Sequence, residues 1–80
     1  MKITISGSGS ESKITFSDAT IQDKICNEKI FAGGKSLNEL CHQAPPATIK
    51  ALLDVRSTKN KIASLSGGKI KWSDIEVEII

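Results

Sequence analysis

The sequence predicts a small α+β domain of two layers, in which helices cover one face of an antiparallel-rich sheet. Two similar segments near the ends of the chain support this, because residues 13–18 and 69–74 both read Lys-Ile-x-aromatic-Ser-Asp. Each follows a loop of Gly and Ser and an earlier Lys-Ile pair, at Lys2 and Lys61, which is the pattern of a β-hairpin. The apolar residues between them have helical spacing instead. We therefore expect two terminal hairpins with one or two helices between.

Length and composition favour a single domain spanning residues 1–80. Eighty residues lie near the lower end of chains that bury a sufficient core. Twelve isoleucines and only three aromatic residues predict a core packed mainly by aliphatic side chains. No apolar run reaches the length of a signal peptide or a membrane span, so we expect a cytoplasmic protein with no membrane partner.

The first hairpin is predicted by alternation of apolar and polar residues in residues 2–6 and 13–17. After the second of these strands the apolar positions shift by one residue, at Ser-Asp in positions 17–18. The same shift occurs at Ser-Asp in positions 73–74. A bulge or corner re-aims the following side chains in this way, so we expect one at each Ser-Asp pair.

The central segment predicts short helices. Residues 18–29 fit a short helix through the spacing of Ile21 and Ile25, although two strands joined near residue 27 fit as well. A capping box at residues 36–39 opens the next helix. Pro45-Pro46 ends it and starts a further helix, which we expect to end near residues 56–58.

The second hairpin is predicted as a strand over residues 61–65, a turn at 66–68 and a strand over 69–80. The last strand is the most apolar and is expected at the centre of the sheet. The resulting order, ββ-α(α)-ββ, resembles that of β-grasp domains. The predicted core consists of Ile3, Ile5, Ile14, Phe16, Ile49, Leu52, Leu53, Ile62, Ile70, Val77 and Ile79.

The residue types that carry catalysis or bind metals form no recognisable set. Cys26 and Cys41 lack the spacing of a zinc site and are expected to be buried thiols, with a disulfide as the alternative in an exported protein. His42 adjoins Cys41, but neighbouring residues on a helix do not face each other, so they form no nucleophilic pair. The loop at residues 7–9 lacks the Lys-Ser/Thr of a phosphate loop. We predict no enzymatic activity, cofactor or metal.

Charge is the one positive indication of function. Residues 50–71 contain six basic residues and a single acid, Asp54, and are followed by Asp74, Glu76 and Glu78. Such polarisation favours binding to an oppositely charged partner. The predicted partner-binding face consists of Lys50, Arg56, Lys59, Lys61, Lys69, Lys71 and Trp72.

Two functions remain after these exclusions. The first is a small non-catalytic module that binds another protein with an acidic surface, as a regulator, inhibitor or adaptor of the kind that phages and mobile elements encode. The alternative is nucleic-acid binding, with a helix ending near Arg56 as the recognition helix and the second hairpin as a wing. Residues 37–53 resemble a helix-turn-helix, but their turn is short and contains Pro45-Pro46.

Overall fold

The computed structural model describes residues 1–80 as a three-stranded sheet with four α-helices packed on one face. The strands are β1 (Lys2–Ser6), β2 (Lys13–Phe16) and β3 (Glu76–Ile79). The helices are α1 (Ala19–Asn27), α2 (Leu37–Cys41), α3 (Pro46–Leu53) and α4 (Arg56–Leu65), and a 3-10 helix covers Trp72–Asp74. The α+β class is therefore as predicted, whereas the order of the elements is not. Four α-helices take the place of the expected one or two, and the sheet is mixed instead of antiparallel-rich.

The sheet is mixed, with the order β2-β1-β3. β1 and β2 form the predicted N-terminal hairpin, in which Ile3 lies opposite Phe16. On its other side β1 pairs with β3 in parallel, and Ile3 lies beside Val77. The helical layer covers the face that carries Ile3, Ile5 and Phe16, all of which are buried. The opposite face carries polar side chains such as Lys2 and Glu78, which form an ion pair at 2.9 Å.

The predicted C-terminal hairpin is wrong, because residues 61–65 belong to α4 and not to a strand. Thr58, Ile62 and Leu65 are spaced as one face of a helix, and Ile62 is completely buried. The five residues from Lys61 are too few to set a period by themselves, so the longer helical pattern that includes Thr58 decides. Gly67, at a φ of 71°, follows directly after the last turn of α4 and its C-cap. It ends the helix in the usual left-handed conformation and does not form a hairpin turn.

The C-terminal strand is at the edge of the sheet and not at its centre, which corrects a second prediction. Since α4 replaces the expected third strand, the chain crosses over the sheet and enters β3 parallel to β1. Ile79 is 43% exposed and Ile80 is 78% exposed. The apolar character of the last residues therefore does not reflect a central position.

Three local predictions about the helices are confirmed. Asp18 caps α1, because its side chain accepts a hydrogen bond from the Thr20 N–H at 3.0 Å, and a helix over Ala19–Asn27, not two strands, occupies this segment. The Ser36 hydroxyl accepts from the Glu39 N–H at 3.3 Å and caps α2. α3 begins at Pro46, as expected. It ends at Leu53, however, and not near residues 56–58 as predicted, where α4 has already begun.

The core joins one face of the sheet to the inner sides of all four helices. The predicted core residues that are buried are Ile3, Ile5, Phe16, Ile49, Leu53 and Ile62, while Ile14, Leu52, Ile70 and Val77 are half-buried and Ile79 is exposed. Ile21, Ile25, Cys26, Leu37, Cys41, Ala44 and Ile75 complete it. Both Ser-Asp pairs lie at corners: the first between β2 and α1, the second in the 3-10 helix before β3.

Candidate interaction surface around Arg56 and Trp72

The 3-10 helix packs against α4 and places Trp72 beside Arg56. The guanidinium carbon of Arg56 lies over the indole ring, 4.3 Å from the ring centre. This is the geometry of a cation–π contact, which contributes about 0.5–1 kcal/mol at an exposed site. Trp72 is still 36% exposed. The contact thus restrains a large aromatic ring at the surface.

Arg56 stands at an electrostatically unfavourable place in its helix. It is the first residue of α4, where the partial positive charge of the helix N-terminus repels a cation. The first turn contains no acidic residue, and no side chain caps it. Helix stability alone therefore does not account for a cation here. The beginning of α4 and Arg56 together form a positive region of the surface.

Two of the predicted site residues are engaged in ion pairs. The carboxylate of Asp54 pairs with the Lys50 ammonium group one helical turn earlier. Its other oxygen lies 3.8 Å from the Lys59 ammonium nitrogen, and the Lys59 side chain is only 18% exposed. One carboxylate thus compensates part of the charge of two lysines. Lys50 and Lys59 are consequently weaker candidates for partner contacts than the sequence indicates.

Lys61 lies on another side of α4. At 100° per residue, it is about 140° around the helix axis from Arg56. Its ammonium group donates to the Ile30 carbonyl at 3.2 Å and so connects α4 to the segment between α1 and α2. The structure therefore does not bring Lys61 together with Arg56 and Trp72.

Lys69 and Lys71 belong to the loop between α4 and the 3-10 helix, and both are exposed. Neither has a carboxylate within ion-pair distance. Lys71 immediately precedes Trp72, and the exposed Val55 immediately precedes Arg56. We define the Arg56–Trp72 face as this stacked pair together with the exposed residues close to it in the chain: Val55, Lys69 and Lys71.

Val55 is the member of this face that sequence reasoning missed. It is 48% exposed. Its exposure could have been predicted from its position, because it follows Leu53 by two residues and therefore does not continue the apolar face of α3. As the N-cap residue of α4 it has an extended backbone and offers no side-chain oxygen for capping.

The cysteines and the histidine do not assemble into a reactive group. Cys26 and Cys41 are buried free thiols. Burial, followed by the neighbouring Cys41 and Asp23, raises the pKa of Cys26 from 9.0 to about 11. Burial also raises the pKa of Cys41. Because the thiolate is the nucleophilic form, the raised pKa values disfavour reaction of either thiol at neutral pH. His42 is exposed at the C-terminus of α2.

One open surface depression has a volume of about 220 Å³ and is lined by no hydrophobic residue. It is lined by Gly7, Ser8, Glu11, Ser12, Lys13 and His42. Ser12 is held in place, since its hydroxyl donates to the Ala44 carbonyl at 2.7 Å. No group of three or more His, Cys, Asp or Glu residues is arranged to hold a metal ion. None of the helices has the length and apolar character needed to span a membrane.

Neither a protein-family model, nor a curated protein, nor a solved structure matches this chain.

Proposed function

We propose that this protein is a non-catalytic module that binds another protein through the Arg56–Trp72 face. The observation that carries the proposal is the stacked pair of Arg56 and Trp72 at the surface. Trp and Arg are among the residues most enriched at the energetic centres of protein interfaces. Stacking also limits the rotamers of both side chains before the partner arrives, which reduces the entropy lost on binding.

Charge indicates the chemistry of the partner. Arg56, Lys69 and Lys71 lack carboxylate partners within the chain, and the N-terminus of α4 adds its partial positive charge. An acidic protein surface would supply the missing carboxylates, and the field of the face would accelerate their encounter. Lys50 and Lys59 reinforce this field from the side, although Asp54 compensates part of their charge.

Such a module acts by occupying a surface of its partner, as a regulator, an inhibitor or an adaptor of the kind that phages and mobile elements encode. We expect it to work in the cytoplasm, where two buried free thiols remain reduced. Catalysis, a cofactor and a membrane partner form no part of the proposal.

The test begins with affinity capture from nuclease-treated host lysate, followed by titration of the purified partner by calorimetry. We expect Trp72→Ala to weaken the complex about thirtyfold, as loss of a central interface residue does. A triple charge reversal of Arg56, Lys69 and Lys71 to Glu should weaken it further. The folded state of each variant is checked by urea denaturation.

A matched triple reversal provides the control. Lys13, Lys24 and Lys29 are also exposed, so their replacement by Glu changes the net charge equally at other sites. The control variant should retain most of the affinity. An equal loss in both triple variants would contradict the proposal, because it would show attraction by net charge and not by this face.

Nucleic-acid binding is the second candidate, since an exposed aromatic ring among unpaired cations also suits a single strand. Two observations weigh against it. Arg56 already covers one face of the Trp72 ring, and the segment predicted as a wing is the end of α4 followed by a loop. If this function applies, DNA titration should show an affinity that falls steeply with salt, and nuclease treatment should remove whatever the protein captures.

A further inference from the structure

The two edges of the sheet differ in whether their outward-facing backbone groups already have partners. At the β2 edge the side-chain amide of Gln22 takes the place of a neighbouring strand. Its oxygen accepts from the Phe16 N–H at 2.9 Å, and its nitrogen donates to the Ile14 carbonyl at 3.2 Å. A glutamine amide offers the same donor and acceptor as a peptide group, so Gln22 closes this edge against further strands.

No side chain does the same at the edge formed by β3. The N–H groups of Glu76 and Ile80 each donate to a carbonyl within residues 1–5, at 2.9 Å. Since successive residues of a strand direct their backbone groups to opposite sides, those of Val77 and Ile79 point away from β1. No hydrogen bond to the backbone of Val77 or Ile79 comes from a side chain or from another strand. This edge therefore remains available for pairing.

The side chains of β3 give the open edge two different faces. Val77 and Ile79 lie on the side of the helices, in register with Ile3 and Ile5, and Ile79 is 43% exposed. Glu76 and Glu78 alternate with them on the solvent face of the sheet. The strand contains no Lys, Pro or bulge of the kind that natural edge strands use to prevent pairing.

We propose that the free edge of β3 binds an extended peptide strand in which lysine or arginine alternates with aliphatic residues. Paired in register, the aliphatic side chains would cover Ile79 and the cations would lie beside Glu76 and Glu78. Lys2 approaches Glu78 from the β1 side, and Glu76 has no ion pair. The acidic residues thus favour a basic strand.

A second copy of the chain fits this edge poorly in the two registers that use the most residues of the strand. Antiparallel self-pairing centred on Val77 would place Glu76 opposite Glu78 of the other copy, and centring on Glu78 would oppose that residue to itself. Like charges directly opposite each other destabilise a strand pair. The edge is also distinct from the Arg56–Trp72 face and takes a partner segment of the opposite charge, so the two proposals can fail separately.

The probe is a short end-capped peptide in which lysine alternates with valine, titrated into the isotopically labelled full chain. We expect the largest amide shifts, and slower hydrogen exchange, at Val77 and Ile79, with little change in Lys13–Phe16. A peptide with glutamate in place of lysine should bind at least about tenfold more weakly, because it would oppose like charges.

Backbone N-methylation of the peptide is the decisive control, since it leaves the protein unchanged. Only alternate residues of a bound strand hydrogen-bond to β3, so methylating either all valines or all lysines should weaken binding about tenfold or more, and methylating the other set should not. Loss with methylated valines indicates antiparallel pairing, and loss with methylated lysines indicates parallel pairing. Equal effects of both sets, absence of binding, shifts centred elsewhere, or self-association through β3 would each overturn the proposal.

Discussion

Replacement of Gln22 by Met tests whether a side-chain amide closes the β2 edge. Met has nearly the length and helix propensity of Gln, so Gln22→Met removes two hydrogen bonds with little other change. The bonds, at 2.9 and 3.2 Å, lie in a half-buried setting and serve Phe16 and Ile14. At about 0.5–1.5 kcal/mol per bond, and with water replacing part of the loss, we expect a destabilisation of about 1–2 kcal/mol.

The assay is urea denaturation followed by circular dichroism, with the free energy of unfolding compared at constant m-value. Gln43→Ala is the matched control, because Gln43 also accepts a hydrogen bond, at 2.7 Å from Lys35, but in an exposed position. Its effect should stay within about 0.5 kcal/mol. If Gln22→Met destabilised the protein as little as this control, the side-chain amide of Gln22 would not replace a neighbouring strand. The difference proposed between the two sheet edges would then be contradicted.

Two further predictions concern the core. Ile62→Ala should destabilise the protein by about 2–5 kcal/mol in the same assay, because this side chain of α4 is fully buried. Ser64→Ala is the control, since Ser64 is exposed and its replacement should change the stability by less than about 0.5 kcal/mol. An equally small effect of Ile62→Ala would contradict the position of this helix. The raised pKa of Cys26 predicts that stability falls as pH rises from 9.0 towards about 11, since the unfolded chain releases a thiol proton that the folded chain retains. Cys26→Ala should flatten this part of the stability–pH curve, and an unchanged slope would show that the thiol ionises equally in both states.

The features that could be predicted from the sequence are those that depend on residues close together in the chain. Alternation in the first strand and the second gave their inner faces, and Ser36 with Glu39 gave the start of α2. Pro46 gave the start of α3, because a proline at the first helical position loses no hydrogen bond. In each case the decisive interaction lies within a few residues of chain, so the pattern contains the information.

For α4, the local pattern was insufficient. Lys61–Leu65 is too short to establish a period, because its apolar residues do not alternate strictly with polar ones and its helical spacing covers a single turn. Tertiary packing decided this by burying Ile62 against the helical layer. Because α4 is a helix, the chain crosses over the sheet before its last strand, which pairs in parallel with β1. The central strand is therefore β1 and not, as the sequence predicts, the C-terminal strand.

For the candidate surfaces, the residue types could be predicted from the sequence, but which of these residues lie together depends on the tertiary structure. Composition identified residues 50–71 as basic. In the folded chain, however, Lys61 donates a hydrogen bond to Ile30, whereas Arg56 stacks on Trp72, so these basic residues do not share one surface. The closed edge at Gln22 and the open edge at β3 are likewise invisible in the sequence. Both depend on which strands pair, and strand pairing joins residues far apart in the chain whose contacts no local pattern encodes.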